Sequence, residues 1–105
     1  MKKLLYYKLV RDRIPEIIEE AHKQFSVREL DEEEIRRFGL KKLAEEVQEF
    51  IEDPSAEEAA DILEILEFVC RRFDVGDCEI HAERLAKRVT KGSFDKGVLL
   101  EWVEE

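Results

Sequence analysis

Apolar residues recur along this chain at the three- and four-residue spacing of helices rather than the alternation of strands. Ile14, Ile17, Ile18 and Ala21 mark a first helix over residues 13–24, with Pro15 in the first turn, where its missing N–H costs nothing. Leu40, Leu43, Val47, Phe50 and Ile51 form the core stripe of a second helix over 32–52. Ile62, Ile65, Leu66 and Val69 form that of a third over 56–73. Asp31 with Glu34, and Ser55 with Glu58, have the spacing of an N-cap and its partner in a capping box. Asp53-Pro54-Ser55 reads as a tight turn between the second and third helices. Gly39 predicts a kink or break inside the second. Asp77 is expected to cap a fourth helix that ends at Lys91-Gly92, where glycine suits a positive φ. Three stretches leave the helical period and read as extended: residues 4–10, the alternation of Phe25 and Val27, and the tail from Phe94 to Val103.

The pattern predicts a mainly α fold, a bundle of about four helices with short extended segments at the N-terminus and in the C-terminal tail. A length of 105 residues with 44% apolar content fits one domain over 1–105 with one modest core. No linker, repeat or low-complexity segment divides it. So small a core commonly gains stability by self-association, so a homodimer or homotetramer is expected.

A net charge of −9 with no long basic run argues against a general nucleic-acid or anionic-membrane binder. No apolar run has the length of a membrane span, and the opening MKKLLYYKLV is too short and polar for a signal peptide, so a cytoplasmic protein is expected. Cys70 and Cys78 make no disulfide framework in that compartment; Cys70 falls on an apolar helix side, and Cys78 with His81 lacks further soft ligands nearby.

Most acidic residues here, Glu19, Glu20, Glu33 and Glu67 among them, read as solvated helix faces. Four do not. Glu46 and Glu49 are spaced i, i+3, as are Glu58 and Asp61, and each pair shares a helix face. Glu49 and Glu58 stand equally far from the middle of the intervening turn, as do Glu46 and Asp61. At about 1.5 Å per residue, antiparallel helices bring each to the level of its counterpart. On a helical wheel Glu58 falls inside the apolar arc of its helix and Asp61 at its edge. Capping explains part of Glu58 and nothing of Asp61. Four carboxylates sharing one small volume need a cation or raised pKa values, and a hard, oxygen-seeking ion such as Mg²⁺ suits them, Mn²⁺ being possible.

Glu46-x-x-Glu49 followed by Glu58-x-x-Asp61 resembles the E-x-x-E…E-x-x-D signature of the MazG-like, all-α nucleoside triphosphate pyrophosphohydrolases, whose superfamily includes dimeric dUTPases and phosphoribosyl-ATP pyrophosphohydrolases. Tyr7-Lys8-Leu9-Val10-Arg11-Asp12-Arg13-Ile14-Pro15-Glu16 is similar to the K-L-V-R-D-x-I-P-E opening of a small prokaryotic branch. Gly92-Ser93-Phe94 is similar to its G-G-F segment, with Ser93 departing from glycine. The resemblance implies Mg²⁺-dependent cleavage between the α- and β-phosphates of a nucleotide, giving a monophosphate and pyrophosphate. It implies Glu46, Glu49, Glu58 and Asp61 as metal ligands. Glu49 is the candidate general base, Glu64 a supporting carboxylate, and Glu45 points away from the cluster. Lys8, Arg11, Lys91 and Lys96 are candidate phosphate-binding cations, with Phe94 as a stacking surface for a base. Arg11 can equally pair with Asp12 or a helix end. Two alternatives stand beside this reading: phosphoribosyl-ATP hydrolysis in histidine synthesis, and a helical module that binds nucleotide or metal without turnover.

Overall fold

The computed structural model describes residues 2–105. The fold is mainly α, with four helices and no strand among the described residues: α1 (Ile14–Glu20), α2 (Glu32–Glu52), α3 (Ala56–Arg72) and α4 (Asp77–Lys91). By their contacts they fall into two compact units, Met1–Asp74 and Val75–Glu105.

Within the first unit the organising element is the α2–α3 hairpin. Its start is a complete capping box: Asp31 accepts from the Glu34 N–H at 2.8 Å, and the Asp31 N–H donates to Glu34 Oε1 at 3.2 Å. Arg28 adds a forked contact to the Glu34 carboxylate at 2.7 and 3.1 Å. Its turn is Asp53-Pro54-Ser55, after which Ser55 Oγ accepts from the Glu58 N–H at 3.3 Å and starts α3. At the open end Arg72 donates to Glu32 at 3.0 Å, and Arg36 donates to the Arg72 carbonyl at 3.0 Å. The two arms are therefore tied at both ends.

Gly39 does not kink α2, which runs unbroken from Glu32 to Glu52. It is buried, and a Cβ there would stand 3.1 Å from Val69 Cγ2, so glycine lets α3 approach closely. This also corrects the expected core. The seam between the arms runs through Gly39 and Glu46 on α2 and Val69 on α3, the last only 5% exposed. Leu43, Phe50, Ile62 and Ile65 flank it half-buried, whereas Leu40, Val47, Ile51 and Leu66 are exposed. The expected stripe is real, but only its edge faces the other arm.

Helix α1 is shorter than the expected span over 13–24. It ends at Glu20 because His22 takes a φ of 58°, turning the chain so that its N–H returns to the Glu19 carbonyl at 2.9 Å. Residues 4–10 and the stretch around Phe25 form no strand; neither has a ladder partner. In the second unit α4 begins at Asp77 with Gly76 as its N-cap, one residue earlier than expected, and ends on Gly92 at a φ of 82°. The tail after it holds one turn, closed by the Gly97 N–H on the Phe94 carbonyl at 3.0 Å. Among the described residues no helix is long and apolar enough to cross a membrane.

Candidate metal centre

The hairpin brings Glu46 from α2 together with Glu58 and Asp61 from α3. One carboxylate oxygen of each lies within 4.8 Å of the others. Glu46 sits in the seam itself and is 7% exposed, a position that a Glu-rich surface helix would give to an apolar residue. One of its oxygens, Oε1, meets Lys42 Nζ at 3.3 Å, the preceding turn of α2 placing the two at i, i+4. The other, Oε2, is buried with no hydrogen-bond partner, and so is Oε2 of Glu58. Two unpartnered buried carboxylate oxygens are expensive to leave in a protein, and a cation is one partner that could satisfy them.

The titration of these groups carries the same strain. Burial, first, raises the pKa of Glu46; Lys42 works against it, while Glu49 and Asp61 repel the charge and push it further up. Glu58 is also raised, again by burial first, then by the charges of Glu49 and Asp61 and by a hydrogen-bonding contact with Glu49. Glu49 is thus beside Glu58, exposed, but outside the set of three whose oxygens all converge. Asp61 is held by Arg11, whose Nη2 reaches Oδ1 at 2.7 Å.

Arg11 arrives from the extended segment before α1, and that segment walls one side of an open cavity of about 260 Å³ that Glu46 and Asp61 line and Glu49 and Glu58 do not. Leu9 to Asp12 form one wall; Glu46 and Asp61, with Lys42 paired to Glu46, line it on the helices; Glu64, Ile65 and Phe68 complete it. The volume suits part of a small ligand rather than a whole one. Arg11 pairs with Asp61, not with Asp12 or a helix end. Lys8 instead bridges Glu45 at 3.6 Å and does not line the cavity. Glu64 lines it. Lys91, Phe94 and Lys96 belong to the second unit, where all three are exposed, Phe94 at 98%. Lys42 and Asp12 were not foreseen as site residues. The i, i+4 spacing of Lys42 to Glu46 was the available signal for the first; for the second it was the place of Asp12 in the Lys8-Leu9-Val10-Arg11-Asp12 run.

The donor set is all oxygen, as hard divalent ions require. Opposite ligands of one Mg²⁺ stand about 4.2 Å apart and those of Ca²⁺ up to about 5 Å, so three oxygens within 4.8 Å fit a single ion after small side-chain adjustments. Lys42 and Arg11 set two positive charges against the four of Glu46, Glu49, Glu58 and Asp61. Two negative charges remain, the complement of one divalent ion, before Asp12 and Glu64 are added. Comparison with family models, curated proteins and solved structures finds no match to this chain.

Proposed function

We propose that this protein is a divalent-metal-dependent nucleotide pyrophosphohydrolase, splitting a nucleoside triphosphate between its α- and β-phosphates. The observation that carries the reading is Glu46: a carboxylate in the helical seam with one oxygen unpartnered, converging with Glu58 and Asp61. Stability alone does not select that residue there, since even a buried ion pair such as Glu46–Lys42 is commonly no better than apolar side chains of similar volume, and one Glu46 oxygen is left without a partner. The motif resemblance supplies the reaction class, and the cavity beside the acids supplies a place for the phosphates.

Glu46, Glu58 and Asp61 would hold the ion, Mg²⁺ or Mn²⁺, with Glu49 completing its environment from the rim. When bound, such an ion offsets phosphate charge and lowers the pKa of a coordinated water. The rest falls to side chains. Glu49, exposed and least committed of the four acids, is the group best able to accept the proton of an attacking water. Arg11 is placed to exchange the Asp61 oxygen for a phosphate oxygen, which its planar fork suits better. The apolar patch of Leu9, Ile65 and Phe68 gives the ligand a dry wall. A homo-oligomeric, cytoplasmic enzyme remains the expectation that goes with this reading.

A second reading has one observation of its own. Lys42 and Arg11 already neutralise part of the cluster, so the site can serve as a binding module that holds metal or nucleotide without turnover. A pyrophosphate-release screen decides between them. It would cover ribo- and deoxyribonucleoside triphosphates and phosphoribosyl-ATP, with Mg²⁺ and with Mn²⁺. Release that disappears in Asp61→Ala supports the enzyme. Metal binding without release from any member of the panel selects the module instead, and preferred release from phosphoribosyl-ATP assigns the histidine-pathway reaction.

A further inference from the structure

The cavity beside the acids changes character along its length, and α3 sets the order in which its residues come. Asp61 stands at the acidic end; Glu64 and Ile65 follow about one turn on, and Phe68 two turns on, roughly 10 Å from Asp61 along the axis. At about 100° per residue the four fall within an arc of about 100°, so one face of α3 presents them in sequence. On the other side of Asp61, towards the hairpin turn, Glu58 and its neighbour Glu49 stand outside the cavity. Two of these residues are left unexplained by the packing of the helix. Glu64 is exposed, and its carboxylate makes no ion pair or hydrogen bond among the described residues, although it shares the cavity with Arg11 and Lys42, both held by other acids. Phe68 lies about 100° round the helix from Val69, which fills the seam, and is only half-buried. Its ring is nevertheless anchored: the Arg72 guanidinium stands 5.0 Å from the ring centroid and is itself fixed by Glu32 at 3.0 Å. An anchored aromatic ring off the packing seam, lining a cavity, is a ready surface for a flat ligand group.

We propose that this cavity reads the nucleoside of the substrate and selects ribonucleotides: Phe68 stacks on the base, and Glu64 accepts a hydrogen bond from the ribose 2′-hydroxyl. The inference rests on the reading of the acids as a metal centre for a triphosphate, and adds which nucleotides that centre takes. The order along α3 is the order along the ligand, with phosphate at Asp61, sugar one turn on at Glu64 and base two turns on at Phe68. The sugar stands between phosphate and base in any nucleotide, so a phosphate at the acids directs the base to the Phe68 end. An ionised carboxylate only accepts, and the hydroxyls are the donors that the middle of a nucleotide offers. Phe68, and not the exposed Phe94, is then the stacking residue. Stacking tolerates every base, so the discrimination falls on the sugar.

A carboxylate beside a triphosphate also repels it, so the two roles open to Glu64 differ in sign. Where Glu64 is only a solvated charge, its removal tightens every anionic ligand. Where it holds the sugar, its removal weakens ribonucleotides alone.

Calorimetric titration of the full chain in Mg²⁺ tests this with three ligands. Two are α,β-methylene ATP and its 2′-deoxy counterpart, whose carbon bridge resists cleavage; inorganic triphosphate is the phosphate-only probe. The wild type is expected to bind the ribonucleotide about tenfold more tightly than the deoxyribonucleotide, the effect of one hydrogen bond to a charged group. Glu64→Ala should lose that preference and leave the deoxyribonucleotide and triphosphate as tight or tighter. Phe68→Leu, which keeps an apolar side chain in place, should weaken both nucleotides about tenfold with triphosphate unchanged, and Phe68→Tyr should restore them. Unchanged helical circular dichroism verifies the fold of each variant. Equal binding of the two nucleotides by the wild type overturns the proposal. So does a Glu64→Ala variant that shifts all three ligands alike, or nucleotides that bind no more tightly than triphosphate. Failure of all three to bind instead overturns the metal-centre reading, and this inference with it.

Discussion

Replacing Glu46 by glutamine separates a metal-ligating carboxylate from a merely structural one, because the two roles give opposite signs. The Glu46 and Asp61 oxygens lie within 4.8 Å, a repulsion of at least about 0.9 kcal/mol in water and about 3.5 kcal/mol at an effective dielectric of 20. Lys42 at 3.3 Å returns about 1.3 to 5 kcal/mol on the same scale. Glu58, within the same distance, adds about as much again as Asp61, so the repulsions together outweigh Lys42, and desolvation acts in the same direction. The raised pKa of Glu46, caused chiefly by burial, says that the site as a whole disfavours its charge. A neutral isostere escapes that penalty and still accepts from Lys42. Without divalent ions Glu46→Gln is therefore expected to be more stable by about 1 kcal/mol, the low end being chosen because Asp61 and Lys42 are partly solvated. For a domain this size that is a rise in Tm of about 4–8 °C. A carboxylate whose pKa is raised by folding favours the native state while protonated and loses that contribution as pH rises through the folded pKa. The advantage of the variant should accordingly vanish on acidification. With Mg²⁺ or Mn²⁺ at about a hundred times its Kd the wild type gains about 2.7 kcal/mol, and the variant loses most of that gain. Thermal unfolding followed by circular dichroism, in chelator and then across a metal series, reads both effects. A variant that is less stable in chelator, or one that gains as much from metal as the wild type, refutes the assignment.

Arg11→Ala frees Asp61 from its 2.7 Å partner, so metal titrated by calorimetry without nucleotide should bind more tightly, by several-fold, while the KM for any triphosphate turned over should rise. Weaker metal binding would mean that Arg11 organises the site rather than competes for it. Gly39→Ala gains about 1 kcal/mol of helix propensity but drives a Cβ to 3.1 Å from a buried Val69, a strain of about 1–3 kcal/mol. Urea denaturation should show a net loss of up to about 2 kcal/mol, and a net gain would show that α3 can step back. Glu34 is held at a pKa of about 2, first by its hydrogen bonds from Arg28 and then by that from the Asp31 N–H. Its contribution is complete above the ordinary value of 4.5 and is lost as pH falls towards 2, so acid titration of Arg28→Ala should show less loss of stability across that window. An unchanged acid limb would assign the window to other carboxylates.

Helix existence and the ends of α2 and α3 were legible because local chemistry sets them. Asp31-x-x-Glu34, Ser55 and Pro54 act through groups three residues away, and the observed bounds agree with the expected ones to within a residue. Features that depend on a distant partner were not legible. The apolar segments at 4–10 and around Phe25 have the composition of strands, but a strand exists only where another chain segment completes its ladder, and none does here. The end of α1 at His22 likewise follows from a positive φ that a histidine rarely adopts, so no residue type announced it.

The acidic site was half legible for a related reason. Spacing about the turn placed Glu46 level with Asp61 and Glu49 level with Glu58, because rise per residue is fixed. Rotation was not fixed by the sequence. The apolar stripe on α2 is broad enough to put either Leu40–Val47–Ile51 or Gly39–Leu43–Glu46–Phe50 against α3, and hydropathy favours the first. Gly39 favours the second, since it alone admits the close approach of Val69. That choice turns α2 until Glu46 enters the seam and Leu40, Val47 and Ile51 are left on the surface. The buried carboxylate and the bare apolar face are thus two results of a single rotation. A substitution that let α2 turn back would bury the stripe and release Glu46 from the seam together. If Gly39→Leu preserved the fold by circular dichroism and left metal-linked stabilisation intact, that common origin would be wrong.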